Sequence, residues 1–526
     1  MRLIRLNLKV IFSSVILYLF YAFIALFFLF FLVMMNQTRF INYAVFLDSL
    51  AYLEIAVFIL AFCLAVYFAH QGYALEESCF VSKPACLLGR LSAVLIASGC
   101  VCAVPLLYIV AASVSEGTEL YFSCLAIAYF ILRWLSLLLI SQSLGFLAGS
   151  LLKKTFVYLL AAPFAIIFSH LNGSFLSMFL NADRIIVVSN LLSLQKPLIF
   201  GVDIDYAGPR VDLLFAVKCA LVLPFALFIA SATVAAAQKK FAPKTAAAMC
   251  SCLAAIALFC HIYISIFPKG YSYEDKMYVT ADRSGGYRVA SYEGDIRLSE
   301  CGDYECLVTV EKGRGDLTFR LDSAFEIRKL SLEGRDVRYS RSGDFIVIPE
   351  NEIPDRDSFS VELLYGGRVR YRSDADSLNI YTSWFSSALP PNFAFIPIID
   401  GDLSVKAYNF HVTCANTLIS NLAVESGGGY TVSGKSNTFC LFCGFLTQFE
   451  KEGVIFYRAK YNKSTDYWGE YQSALTRRYL NPHTYEIAGG AIVKPQKVFM
   501  IYYLYGIVGN PVVFNDYIML NYGYPG

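Results

Sequence analysis

Ala246-Ala-Ala-Met-Cys-Ser-Cys-Leu-Ala-Ala-Ile-Ala-Leu-Phe-Cys-His-Ile-Tyr-Ile-Ser-Ile-Phe267-Pro-Lys-Gly270 is where the chain changes character. Up to Phe267 the stretch has no Asp, Glu, Lys or Arg. A helix of that length crosses a hydrocarbon core of about 30 Å. Pro268 and Gly270 then break it, and short alternating runs begin. Residues before this junction have a membrane composition, and residues after it a globular one. Residues 1–267 carry 16 Lys/Arg and 10 Asp/Glu, a net of +6, which leaves 27 Lys/Arg and 31 Asp/Glu, a net of −4, for residues 268–526. Over all 526 residues only 16% are charged, 57% are hydrophobic, and the mean hydropathy is +0.53. Soluble domains run near a quarter charged. A wholly soluble enzyme and a pure membrane bundle are both excluded, and a net charge of +2 without a basic block argues against nucleic acid as partner.

Working back from the junction, seven stretches have the length and apolarity of spans: Val10–Met35, Val45–Ala69, Leu91–Ala112, Leu120–Leu147, Thr155–Leu171, Val211–Ala237 and Ala246–Phe267. The fifth is the shortest. The first is too long for a cleaved signal peptide, so it is expected to remain as an anchor. With a cytoplasmic N-terminus, the inner segments hold ten cations: Arg2, Arg5, Lys9, Lys83, Arg90, Lys153, Lys154, Lys239, Lys240 and Lys244. The outer segments hold four: Arg39, Arg184, Lys196 and Arg210. That asymmetry favours a plasma-membrane protein with its N-terminus inside and, after seven crossings, its C-terminal half outside.

Ionisable residues within the spans are Asp48, Glu54, Arg133 and Lys218. Charge at membrane depth is costly and faces other helices or a wet cavity. Glu54 and Arg133 can pair between the second and fourth spans. One reading makes these residues the polar lining of a substrate path. The other makes Glu54–Arg133 a structural pair, with Asp48 and Lys218 reaching to the interface. Cysteines in this half are single small apolar residues without metal spacing.

Between the second and third spans, Gln71–Arg90 is short and amphipathic, with Leu75, Phe80, Leu87 and Leu88 set against Glu76, Glu77, Lys83 and Arg90. In this layout the region 1–240 resembles the permease subunits of type-two ABC exporters. Those have a short cytoplasmic amphipathic helix after the second span, in the pattern acidic, apolar, Ser-x-Pro, then a basic residue. Glu76, Glu77, Ser82, Pro84 and Arg90 fit it, and so does the stretch Asn172–Arg210, where that family places re-entrant helices. The resemblance implies that Glu76, Glu77, Ser82, Lys83 and Arg90 contact a separate ATP-binding subunit. It also implies that two permeases, alike or different, line the path as a homo- or heterodimer. A seventh span departs from the family's six.

After Phe267 the runs Arg288–Tyr292, Leu307–Val310, Leu317–Leu321, Arg328–Leu332, Phe345–Ile348, Phe359–Leu364 and Leu378–Tyr381 read as strands. A second set is Leu403–Cys414, Leu418–Val424, Tyr430–Gly434, Phe439–Phe445 and Gly453–Ala459, then a helix Asp466–Tyr479, then Lys497–Leu504 and Val512–Leu520. The expected architecture is multi-domain: an α-helical transmembrane bundle of about seven spans (1–267), a linker (268–284), an all-β sandwich (285–463) and a small helix-plus-strand appendage (464–526). The run Phe319–Glu350, with Leu332-Glu-Gly, Ile346-Val-Ile-Pro and a strand closing on Tyr365-Gly-Gly, resembles the N-terminal saddle-shaped β-domain of zinc aminopeptidases of the aminopeptidase N family. Trp384 before Leu389-Pro-Pro and the later strands keep that family's order across roughly 285–520.

The catalytic chemistry of that family has no counterpart in these residues. It needs His-Glu-x-x-His on one helix face, and none of His70, His170, His261, His411 and His483 has a partner four residues away. No catalytic residue, metal ligand or cofactor is expected. Gly429-Tyr-Thr-Val-Ser-Gly-Lys-Ser436 spells a phosphate loop, but the β-branched and aromatic residues after it read as strand, so a hairpin turn is expected instead. Cys440 and Cys443 lie three apart on a strand, so their thiols diverge. Cys301 and Cys306 flank a four-residue turn in an expected hairpin, where a cross-strand disulfide is reasonable. Asn172-Gly-Ser174 is a glycosylation sequon in form and reads as loop. The function expected is that of an ABC-transporter permease subunit, an exporter with an outer binding domain. The alternative is a membrane-tethered, catalytically inactive aminopeptidase-like binding or scaffold protein.

Overall fold

A computed structural model describes residues 2–37, 43–71, 83–115, 117–152, 155–169, 171–193, 213–238, 243–270, 285–372, 378–391, 393–402, 404–460, 497–500, 512–513 and 517–519. The chain forms two compact units that part between Phe267 and Pro268. The first is helical and the second is β-rich.

The helical unit begins with α1 (Arg2–Phe12), which sets Arg5 and Lys9 against Leu3, Leu6, Val10 and Ile11. It ends at Ser13, whose hydroxyl donates back to the Val10 carbonyl. Then come α2 (Val15–Gln37), α3 (Tyr43–Gln71), α4 (Lys83–Gly99), α5 (Ala103–Ser115) and α6 (Leu120–Leu151). A 3-10 turn at Cys100–Cys102 joins α4 to α5, so together they make one apolar passage, Ala85–Ser115. Pro105 has no N–H to give the carbonyl four residues back, and the tighter turn takes up the break. After α6 the chain continues through α7 (Ala161–Ile167), α8 (Asn172–Leu176), α9 (Ala182–Leu192), α10 (Leu213–Gln238) and α11 (Pro243–Ile266).

Six passages are long and apolar enough to cross a membrane among the described residues. The expected fifth span differs. Thr155–Leu160 is a 3-10 helix and only Ala161–Ile167 is α-helical. Pro163 removes the hydrogen bond an α-helix would make to Leu159, so the stretch is wound differently on either side.

Contacts between helices fix their directions. Tyr21 donates to the Ala97 carbonyl and Phe28 meets Tyr108, so α2 runs parallel to α4–α5. Glu54 meets Arg133 near the start of α3, and His70 meets the Leu152 carbonyl at its end, so α3 and α6 are parallel. A Cβ on Gly145 would lie 2.5 Å from the Phe62 carbonyl oxygen, and one on Gly149 2.9 Å from the Ala69 Cβ. Glycine at these two positions lets α3 and α6 pack backbone to backbone. The return stretch runs the other way: Phe164 stands beside Phe62 and Phe168 beside Phe58. Tyr129 stacks on Phe215, and Phe225 further along meets Phe168, which stands beside Phe58, so α10 is again parallel to α6. Leu214 and Val217 at the start of α10 pack with Tyr263 at the end of α11, which is therefore antiparallel to α10.

In the β-rich unit the strands used below are β1 (Arg288–Arg297), β2 (Gly302–Glu311), β3 (Phe325–Leu332), β4 (Arg335–Asp336), β5 (Ser358–Gly367), β6 (Ser387–Leu389), β7 (Lys406–Thr413), β8 (Thr417–Ser420), β9 (Ala423–Ser426), β10 (Tyr430–Ser436), β11 (Leu441–Gly444), β12 (Leu446–Lys451) and β13 (Val454–Ala459). The main sheet has eight strands in the order β9-β10-β7-β1-β2-β5-β3-β4, with β7 and β1 parallel and the other neighbours antiparallel. Burial alternates along β2 and β7, as a sheet with one covered face requires. Tyr304 and Tyr365 stack on that face, and the hydroxyls of Tyr292 and Tyr365 donate to the carbonyls of Pro397 and Phe395 in the segment beneath. A six-stranded sheet contains β6, β11 and β8 in that order, and three- and five-stranded sheets complete the unit. Among the described residues the expected sandwich is thus four sheets.

Three further expectations change. Leu418–Val424 is two strands, because the chain leaves the six-stranded sheet at Ser420 and enters the eight-stranded one at Ala423. The crossing is fixed by Asn421, which donates to the Thr438 carbonyl, and by the Lys497 ammonium on the Asn421 and Leu422 carbonyls. Gly429–Ser436 is not a turn: the turn is Gly427–Gly429, and Lys435 and Ser436 lie in β10, opposite Ala407 and Lys406. The short strands 497–500, 512–513 and 517–519 are continuous with the β12–β13 hairpin in the five-stranded sheet. The expected helix Asp466–Tyr479 lies outside the described residues.

Candidate functional site

Polar chemistry in the helical unit gathers where α3, α6 and α10 meet. Glu54 and Arg133 are both buried, with the Arg133 Nε 2.8 Å from one carboxylate oxygen and 3.0 Å from the other. Arg133 Nη1 donates to the Tyr129 hydroxyl at 2.9 Å, one helical turn earlier, and its guanidinium lies 5.5 Å from that ring's centroid. The Tyr129 ring stacks on Phe215, at 5.1 Å between centroids. Three residues on from Phe215, Lys218 is only 4% exposed. The expectation that Lys218 reaches to the interface is therefore corrected: helix α10 turns it into the bundle. Asp48 lies on α3 and its side chain is outside the described residues.

Of the residues expected at an ATP-binding subunit, Glu76, Glu77 and Ser82 lie outside the described residues. Lys83 opens α4. Arg90 departs from the expectation, since it is buried and donates to the Phe68 carbonyl at the end of α3. It ties α4 to the last carbonyls of α3, a good use of a cation at a helix C-terminus.

Sequence reasoning missed a second polar contact. Asn172, which begins α8, is buried and donates to the carbonyls of Ile167 and Ser189, while the Ser189 hydroxyl donates to its side-chain oxygen. The amide that would carry a glycan is spent inside the fold. The signal was present in the polar Ser169, Asn172, Ser189 and Asn190 set among apolar neighbours.

In the β-rich unit Cys301 and Cys306 are free thiols. The disulfide is corrected for a plain reason: Gly302–Glu311 is one continuous strand, so the two residues lie along the same chain direction and not across a hairpin. Cys306 is buried opposite Gly294, and Cys301 is exposed in the turn. Cys440 and Cys443 do diverge: the Cys440 thiol meets the Asn421 side chain, and Cys443 meets the Phe385 carbonyl. Lys406 is held by the Asp402 carboxylate at 3.4 Å and by the carbonyls of Asp402 and Ser404. Burial opposes the charge on Asp402, but the Ser404 hydroxyl, the Val289 amide and Lys406 together hold its carboxyl below the usual range. Burial pulls Lys406 below the usual lysine range. Among the described residues no three His, Cys, Asp or Glu side chains converge as metal ligands would.

No protein family matches the chain, and no curated protein does. Among solved structures, Legionella pneumophila aminopeptidase A is similar at 16% identity and TM-score 0.34, over 47% of this chain and 32% of that one. The M1 zinc metallopeptidase of Deinococcus radiodurans is similar at 12% identity and TM-score 0.32, over 48% and 64%. Leukotriene A4 hydrolase of Saccharomyces cerevisiae is similar at 9% identity and TM-score 0.30, over 45% and 40%. The chain thus covers less than two thirds of each, and the similarity to M1 aminopeptidases is distant.

Proposed function

We propose that this chain is a multi-pass membrane protein that tethers a catalytically inactive, aminopeptidase-like β-rich unit to the outer face of the plasma membrane as a binding or scaffold module. The observation that carries the reading is the Glu54–Arg133 pairing at the bundle's polar centre. Glu54 and Arg133 are spent on each other within 3.0 Å, and Tyr129 takes a further donor, which is what an anchor needs and a wet path does not. Helix direction supports the side of the membrane proposed. Because α10 is parallel to α6, the short return stretch from Thr155 to Phe168 acts as a passage, making seven. The end of α11 then emerges opposite α1, and the ten inner cations lie at the α1 end.

A second reading keeps the permease subunit, as half of a homo- or heterodimer driven by a separate ATP-binding chain. It is favoured by the α8–α9 pair, too short to span and pinned by Asn172 and Ser189 at the far end of the bundle. One experiment separates the two. The full chain is purified in mild detergent, then assayed for a co-purifying ATP hydrolase and, with zinc supplied, for cleavage of aminoacyl amides. The anchor reading expects neither. A stoichiometric ATPase moves the assignment to the permease, and zinc-dependent cleavage by the chain alone overturns the inactive module.

A further inference from the structure

Helix α1 lies across the bundle and not in line with α2. A Cβ on Gly89 of α4 would stand 3.4 Å from the Leu3 Cβ and 3.6 Å from the Asn7 side-chain nitrogen, so α1 meets α4 there. Tyr21 of α2 meets Ala97, eight residues further along α4. From Asn7 to Tyr21 a straight helix would advance about 21 Å, whereas α4 rises only about 12 Å from Gly89 to Ala97. The chain therefore turns at Ser13-Ser14, and the apolar passage starts only at Val15. Leu3, Asn7 and the buried Ile11 share the side of α1 toward the bundle. Arg5 and Lys9 stand a turn apart on the opposite side, both exposed, and neither meets a carboxylate among the described residues. Leu6 and Val10 border them on one flank and Phe12 on the other, and all three are exposed.

We propose that α1 is an interfacial helix whose Arg5 and Lys9 hold the phosphodiester of an anionic phospholipid, in the leaflet on the side where the chain begins. Two features of the face select this occupant. Its cationic centre needs an anion, and its apolar borders need a surface that water does not supply. An acyl core alone satisfies the borders and strands the charges. The headgroup boundary satisfies both, with phosphate against Arg5 and Lys9 and the glycerol–acyl region against Leu6, Val10 and Phe12. That boundary is also the depth at which α1 stands, since the apolar passage opens three residues after it ends. Phosphatidylcholine carries the same phosphodiester, but its choline ammonium cancels the charge and repels both cations. The preference is therefore for a lipid of net negative charge, by about fivefold for each cation near the surface. Such a contact fixes the depth and rotation of the first span in an anchor and in a permease alike.

The test offers the full chain, in mild detergent, equal amounts of phosphatidylglycerol and phosphatidylcholine and counts retained lipid by native mass spectrometry. The wild-type chain is expected to retain phosphatidylglycerol in excess, and the excess should shrink as salt is raised. Arg5→Gln with Lys9→Gln should weaken the tightest phosphatidylglycerol by about twentyfold. Arg5→Lys with Lys9→Arg should keep it. Arg335→Gln with Arg338→Gln takes the same charge from the exposed surface of the β-rich unit and should change nothing. Should the α1 variants fail to fold, phosphatidylglycerol with a photoreactive headgroup decides on the wild-type chain: after irradiation and digestion, adducts are expected on α1. Equal retention of the two lipids by the wild-type chain would overturn the proposal. So would undiminished retention by the double Gln variant, adducts absent from α1, or a soluble protein found bound at Arg5 and Lys9 in place of lipid.

Discussion

At the scale of the residue, the chain's buried charges are legible by type before they are legible by partner. Glu54 and Arg133 stand out in any apolar run, and their pairing follows from having no cheaper option at membrane depth. Removing one partner leaves the other charge buried alone. Glu54→Gln is therefore expected to destabilise the helical unit by about 3–5 kcal/mol, read as an earlier melting transition in detergent. The double change Glu54→Leu with Arg133→Met should recover most of that loss, since two apolar side chains of similar volume carry no desolvation cost. If the double variant melts no later than the single one, the pair is not what holds that position. Asp402 offers a second test in the β-rich unit. Its carboxyl titrates lower in the fold than in the unfolded chain, so its stabilisation is present above the ordinary carboxylate range, near pH 4, and is lost as pH falls through the depressed folded value. Asp402→Asn should accordingly flatten the stability profile on the acid side of about pH 4, measured by denaturant midpoints. The wild-type chain should fall more steeply there.

Among the elements, those with a strict period were readable and those set by a partner were not. Phe345–Ile348 and Leu378–Tyr381 form where alternation places them, because an apolar face must be covered whatever covers it. The switch between sheets at Asn421-Leu422 was not readable, since it depends on Lys497, some seventy-five residues later, reaching their carbonyls. The disulfide expected at Cys301 and Cys306 failed for a related reason: Gly302 looks like a turn residue, but β5 pairs along the whole of β2 and keeps it extended. The pairing of α3 with α6 is a third case, visible as glycines at 145 and 149 only once the partner helix is known. Gly145→Ala should force the two helices apart, because its Cβ would meet the rigid Phe62 backbone, and a cost of about 1–3 kcal/mol is expected. Gly99→Ala, whose Cβ meets nothing within 4 Å, serves as the control and should be neutral or slightly stabilising. Equal melting shifts for the two changes would show that close approach is not what selects glycine at 145.

For the molecule as a whole, charge counting alone leaves the side of the β-rich unit open. If the stretch after Leu151 merely dipped in and returned, Arg184, Lys196 and Arg210 would join the inner set while Lys239, Lys240 and Lys244 left it, and the count would again be ten to four. Helix direction supports the proposed seven passages. Phe168 meets Phe58 halfway along α3 and Phe225 halfway along α10, so the stretch from Thr155 runs back along the bundle toward the end from which α10 sets out. The proposed topology has an odd number of passages and carries Phe267 to the side opposite Ser13. In intact cells, a membrane-impermeant maleimide should therefore label Arg356→Cys, which is 69% exposed on the β-rich unit. Ser13→Cys should stay unlabelled until the membrane is permeabilised. Cys301 is replaced in both variants, since it is itself exposed and would report from the same unit. Labelling of both positions or of neither before permeabilisation would mean an even number of crossings, and labelling of Ser13→Cys alone would put the β-rich unit on the cytoplasmic face.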